Sequence, residues 1–389
     1  MKRAKRSFLL AVTAGALLAA TLVDNPLVED EVPGVPTAAP VSHAARENPV
    51  STPEPVRPPA RPSCDSVAAA WSARQRLAQL LMIGVPGNVD AAAELVRDHQ
   101  VGGIFVHANP TGLLTGGGLA QVRSAARIPL TVAIDEEGGR VQTADPIAGS
   151  IPSARRMAAT MTPDQVRAKA IERGRFLNTA GVTMNFAPVV DVSGKPDRTV
   201  IGDRSFSADP ETVRRYATAF AAGLSSTGVL PVLKHFPGHG NVDADSHKGT
   251  AVTPPLSQLE GVDLLPYQDL DAYGPAAVML GHLVVPELTG KEPATLSPAA
   301  YRLLRERFRF DGLAMTDDLG SMRAVSDRYD LPVAVLRALV AGADVALWSS
   351  GTRVGEVLDY LEKAAQSGEL PAERIRDALR HTLTGKGLC

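Results

Sequence analysis

Apolar residues along this chain fall into short, nearly continuous runs, separated by longer stretches with helical spacing. Eight runs read as strands, at 80–85, 101–106, 130–134, 183–187, 229–233, 276–280, 313–316 and 344–348. Runs of this kind, such as those holding Ile104 and Leu280, suit strands buried on both faces. Helical patterns lie between and around them, at 66–79, 88–99, 163–180, 210–225, 256–270, 298–307, 331–341, 353–367 and 371–384. Thr162 before Pro163 and Asp209 before Pro210 are good N-caps with proline at the first helical position. Strands alternating with helices imply a parallel sheet. Eight such units predict an α/β fold, a single (β/α)8 TIM-barrel-like domain, with a doubly wound open sheet as the alternative.

The first 63 residues break this pattern. A basic start, Met1-Lys-Arg-Ala-Lys-Arg6, precedes an apolar run from Phe8 to Val23. Residues 1–23 therefore read as a signal peptide, cleaved near Ala19 or Ala20, or as an uncleaved signal anchor that would tether the chain to a membrane. No cysteine follows the apolar run, as a lipoprotein would need. Residues 24–63 are rich in Pro, Val, Ala and Glu without apolar periodicity, and read as a disordered spacer. The folded domain then spans 64–389. Its ends are marked by the only two cysteines, Cys64 and Cys389. In an exported chain these are expected to form a disulfide.

Composition excludes little else. The 389 residues carry a formal net charge of −2, with 44% hydrophobic and 21% charged residues. No basic excess points to nucleic acid.

The chemistry gathers at the strand ends. Lys234-His-Phe-Pro-Gly-His-Gly-Asn-Val-Asp-Ala-Asp-Ser-His247 follows the fifth run and holds one lysine, three histidines and two aspartates. It reads as a solvated loop, as a metal site using His235, His239 and His247, or as an acid–base pair of His247 with Asp245. Pro237 and Gly238 between the first two histidines argue against a helical metal motif. Asp135-Glu-Glu-Gly-Gly-Arg140 follows the third run. Three successive carboxylates repel one another, so at least one needs a partner. Helix capping with an Arg140 pair is the plain alternative to ligand binding. Asn185 is expected to be structural, His239 to order its loop, and His282 to pack or to line a pocket. Arg204, in Ile201-Gly-Asp-Arg-Ser-Phe206, binds a ligand or pairs with Asp203. Asp317 and Asp318 end the seventh run. Neighbours on a strand point oppositely, so one of them is expected to face the barrel mouth.

These four elements, taken in chain order at successive strand ends, resemble glycoside hydrolase family 3, and Asp245-Ser-His247 resembles its NagZ-type β-N-acetylglucosaminidases. The resemblance covers about residues 70–383. It implies Asp317 as nucleophile and His247, held by Asp245, as acid/base. It also implies Asp135, Lys234 and His235 on sugar hydroxyls, and Arg204 on the sugar and its 2-acetamido region. Where the family often places a second arginine after its carboxylate motif, this chain has Val141-Gln142-Thr143. The expected partner is a carbohydrate, GlcNAc-containing wall fragments, with no metal, no cofactor and a monomeric state. The expected reaction is removal of terminal β-linked GlcNAc. Alternatives are a β-glucosidase or GlcNAc phosphorylase of the same family, a barrel metallohydrolase, and a non-catalytic wall-binding protein.

Overall fold

A computed structural model describes residues 61–242 and 244–389. The signal segment and the spacer through residue 60 lie outside them. Eight parallel strands close into a barrel: β1 Leu81–Gly84, β2 Gly103–Val106, β3 Thr131–Ile134, β4 Met184–Asn185, β5 Leu230–Phe236, β6 Ala277–Leu280, β7 Ala314–Asp318 and β8 Val345–Trp348. Each strand pairs with its sequence neighbours, and β1 pairs with β8 (Leu81 opposite Ala346) to close the cylinder. The open-sheet alternative is thereby excluded.

Alternation within the strands builds two cores. Outward residues such as Ile83, Ile104, Val132, Leu280 and Trp348 pack against the surrounding helices. Inward residues, among them Met82, Phe105, Ala133, Val232, Met279, Met315 and Leu347, fill the barrel. Both faces are apolar, which is why the strands read as continuous runs rather than alternating ones. The next inward positions after Ala133, Val232 and Met315 are Asp135, Lys234 and Asp317. The period of two thus carries the polar side chains to the barrel mouth.

Helices Pro163–Ala180, Pro210–Ser225 and Leu331–Ala341 have the expected bounds. Thr162 and Asp209 cap the first two through the Gln165 and Thr212 N–H groups. The single helix expected over 66–79 is two, Cys64–Ala69 and Ala73–Ala78, because Ser72 starts a new one with a capping box closed by Gln75. The helix expected over 256–270 stops at Gly261 and continues only as short 3-10 turns. Pro266 lacks an N–H to continue the ladder. Two short helices after β2, Thr111–Leu114 and Gly118–Ser124, escape the sequence reading because Gly116, Gly117 and Gly118 interrupt their pattern.

Cys64 and Cys389 are joined by a disulfide, with Cα atoms 5.0 Å apart. It fastens the helix Cys64–Ala69 to the end of the helix Ala372–Gly385. Among the described residues no helix is long and apolar enough to cross a membrane.

Candidate active site

The C-terminal end of the barrel opens into a cavity of about 260 Å³. Asp135, Lys234, His247, Asp317 and Asp318 give it polar walls, and Phe105, Phe186, Met279 and Leu347 an apolar floor. Phe105 and Phe186 lie with ring centroids 5.0 Å apart.

Lys234 organises one side. Its ammonium donates to Asp135 Oδ1 at 2.7 Å and lies 2.6 Å from Glu137 Oε1. Burial pushes its pKa down, but Asp135 and Glu137 more than offset this, so it stays charged. Glu137 also accepts both arms of the Arg204 fork, at 2.8 Å each. Burial pushes the Glu137 carboxyl up, yet Arg204 and Lys234 hold it down at about 2. Arg204 is committed to Glu137, which in turn contacts Lys234 of the cavity wall. The alternative Arg204–Asp203 pair does not form. Asp203 instead takes Arg140, whose guanidinium also donates to the carbonyls of Thr199, Val200 and Ile201.

His235 also stands behind the wall. Its Nδ1 lies 2.6 Å from Asp191 Oδ2 and its Nε2 3.5 Å from Arg204 Nη2. Asp191 is fully buried and its other oxygen accepts the N–H groups of His235 and His239. One carboxylate therefore ties the end of β5 to the loop after it. The Lys234–His235 peptide bond is cis. Glycine is required in this loop: a Cβ on Gly240 would lie 1.9 Å from the Val192 carbonyl oxygen, and Gly238 has φ 132°. Burial pushes His239 down to about 4, so it is neutral, and its Nε2 meets Ser246 Oγ at 3.3 Å. It orders the loop, as expected.

The loop delivers His247 to the cavity. Its Nδ1 lies 2.9 Å from Asp245 Oδ1. Burial pushes the Asp245 carboxyl up, but the His247 N–H and ring hold it below the usual range.

Asp317 and Asp318 both touch the cavity, a departure from simple alternation. The pairing of β7 with β8 shifts register between Met315 and Asp318, and such irregularities re-aim side chains. Their roles still divide. Asp318 Oδ1 accepts from the N–H groups of Gly320, Ser321 and Ser349, so this carboxylate fixes a turn. Among the described residues Asp317 accepts only the N–H of Asp318, at 2.9 Å. Burial pushes its carboxyl up, but His235, His282, that N–H and Lys234 together hold it below the ordinary value. It is an ionised carboxylate with an open side toward the cavity.

His282 does not line the cavity. It is fully buried, donating from Nε2 to the Asp318 carbonyl while Nδ1 meets the Thr295 hydroxyl. Asn185 is structural, bonding the Glu136 backbone through both ends of its amide. The sequence reading gave Glu137 and Asp191 no role of their own, although it expected at least one of the carboxylates at 135–137 to need a partner. The surplus of carboxylates at 135–137 and the strand-end position of Asp191 were the available signals.

Residues 72–384 match the family model "Glycosyl hydrolase family 3 N terminal domain". The chain is 48% identical over 362 residues to "Beta-hexosaminidase LpqI" of Mycobacterium tuberculosis, covering 91% of this chain and 92% of that protein. A solved glycosyl hydrolase of the GH3 family from Mycobacterium smegmatis superposes with TM-score 0.79 at 50% identity, over 82% of this chain and 98% of that one. A family 3 β-N-acetylglucosaminidase from Paenibacillus sp. FPU-7 superposes with TM-score 0.77 at 32% identity, over 82% of this chain and 62% of that one. By the extent of the family match and of these identities, the chain belongs to glycosyl hydrolase family 3.

Proposed function

We propose that the protein is a retaining exo-β-N-acetylglucosaminidase that removes terminal β-linked GlcNAc from fragments of cell wall. The observation that carries this is the meeting of Asp317 and His247 at one cavity, with His247 tied to Asp245 at 2.9 Å. The relatives named β-hexosaminidase and β-N-acetylglucosaminidase support the choice of sugar. The cavity's volume suits a single sugar ring, which supports an exo mode.

In the first step the Asp317 carboxylate attacks the anomeric carbon. The bond to the leaving oxygen breaks, and protonated His247 gives that oxygen its proton. In the second, neutral His247 takes a proton from water, whose oxygen attacks the same carbon and frees Asp317. Asp135 and Lys234 face the substrate and supply hydrogen bonds to its hydroxyls. Arg204 and His235 hold that wall through Glu137 and Asp191. Neutral His247, unlike a carboxylate base, does not repel an anionic acceptor, so phosphate taking the place of water would give a sugar 1-phosphate.

Export through residues 1–23, a cell-surface location and a monomeric state complete the reading; they rest on the sequence alone. The deciding experiment compares aryl β-N-acetylglucosaminide and aryl β-glucoside, with and without phosphate, for wild type and Asp317→Ala. Activity confined to the acetamido sugar and lost in the variant supports the reading. Preference for the glucoside overturns it. Acceleration by phosphate with release of sugar 1-phosphate makes the enzyme a phosphorylase. Retention on insoluble wall with no sugar release makes it a binding protein.

A further inference from the structure

The barrel has a second cavity at its other end, of about 350 Å³. Its apolar roof comes from the first inward residues of the strands, Met82, Met184, Leu313 and Val345. Ala133, Val232, Ala277 and Met315 fill the barrel above them, so this cavity is separated from the one that holds Asp317.

Its polar groups are unusual in sign. Lys386 and Arg123 line it, and among the described residues no carboxylate does. The Lys386 ammonium donates to two neutral acceptors, Gln79 Oε1 at 2.6 Å and the Pro129 carbonyl at 2.8 Å. Among the described residues, that leaves one of its three N–H groups unused. Burial without an anionic partner pushes its pKa down to about 7. Arg123 forms no ion pair among the described residues. Thr382 also lines the cavity; it is 4% exposed, and its hydroxyl has no hydrogen-bond partner among the described residues. A buried polar group without a partner costs free energy that a ligand can recover. Two cations and an idle hydroxyl over an apolar roof are complementary to one negative charge on a compact apolar body. The segment bearing Lys386 is held in place by the Cys64–Cys389 disulfide, three residues further on.

We propose that this cavity is a second binding site, taking a small organic carboxylate, with Lys386 as its ionic partner and the Thr382 hydroxyl as a donor. The apolar roof receives the hydrocarbon part, which favours such a ligand over an inorganic anion.

Titration calorimetry with hexanoate, 1-hexanol and inorganic phosphate tests it on the wild-type protein and Lys386→Met. Expected is saturable hexanoate binding, at least tenfold tighter than hexanol, and weakened at least tenfold by Lys386→Met. Turnover of an aryl N-acetylglucosaminide by that variant should be unchanged, which shows that it folds. Thr382→Val and Arg123→Gln serve if Lys386→Met does not fold, each expected to weaken hexanoate binding. Reductive methylation near pH 7 should label Lys386 early, and hexanoate should protect it. Absence of saturable binding, equal binding of hexanol, or hexanoate binding indifferent to the lysine overturns the proposal. Binding of phosphate but not hexanoate also overturns it, in favour of an inorganic anion site.

Discussion

One oxygen of Asp245 holds His247 twice: Oδ1 lies 2.9 Å from the ring Nδ1 and 3.0 Å from the His247 backbone nitrogen. Nδ1–H donates to the carboxylate, so Nε2 is the nitrogen left for proton transfer, and among the described residues it has no partner. The ring is 62% exposed and needs this hold to keep one orientation. His247→Ala should lower kcat/KM for alkyl or sugar leaving groups by about 10²–10⁴-fold and far less for nitrophenol, which leaves without a proton. Asp245→Asn should have a smaller effect in the same direction. A leaving-group series checks both; equal losses across the series would remove His247 from the acid role.

Among the described residues Asp317 makes a single hydrogen bond and keeps one side open. Asp317→Ala should bring turnover to background with the melting temperature retained. In His247→Ala, an activated aryl substrate should leave one sugar on the peptide holding Asp317, visible by mass spectrometry. A sugar found on Asp318 or Asp135 would move the nucleophile.

Glu137 neutralises two buried cations at once. Glu137→Gln leaves Arg204 and Lys234 short of a charge, and should cost roughly 3–5 kcal/mol in urea unfolding. The Glu137 carboxyl is held at about 2, below its unfolded value, so its share of stability is present above the usual carboxylate range and lost as pH falls through about 2. Across pH 5–8 the Glu137→Gln deficit should therefore be flat.

Glu136, its neighbour, behaves oppositely. Its Oε1 lies 3.1 Å from Arg173 Nη1 without forming an aligned hydrogen bond, and burial pushes its carboxyl up to about 7. A carboxyl raised in the folded state contributes stability below its unfolded pKa and loses it as pH rises through the folded one. Relative to wild type, Glu136→Gln should thus gain stability between pH 4.5 and 7, by roughly 3 kcal/mol in all. Paired urea titrations at pH 5 and pH 8 measure this difference; a pH-independent difference would contradict it.

Gly240→Ala should damage activity more than stability. The new methyl would press on the Val192 carbonyl, and the loop that carries Asp245 and His247 must shift to relieve it. The expected result is a loss dominated by kcat, with little change in far-UV dichroism. Wild-type kinetics would show that the loop tolerates the displacement.

The barrel was legible because its strands are buried on both faces, which leaves short apolar runs at regular intervals between helical stretches. Where a strand ran on into polar residues the reading stopped short: β5 continues through Lys234 and His235 to Phe236, pairing with β6 across a register shift. Asp317, His247 and Asp245 were visible as motif residues at strand ends. Glu137 and Asp191 were given no role of their own, because their work is to hold Arg204 and His235, distant in sequence. A carboxylate's partner across 67 positions, as for Arg204 and Glu137, leaves no local pattern. Residues 1–60, with the signal and spacer readings, lie outside the described structure.

The bond between Cys64 and Cys389 turns the domain's backbone into a covalent ring, spanning 325 positions of sequence. A protease that cuts any one loop within that span opens the ring but releases no fragment, and the two pieces stay side by side to refold. Nicking at the loops around the barrel mouth should then be visible only after reduction. The same closure makes the break point arbitrary: new ends placed in a loop far from Asp317 should yield a working enzyme, provided the sulfurs remain joined.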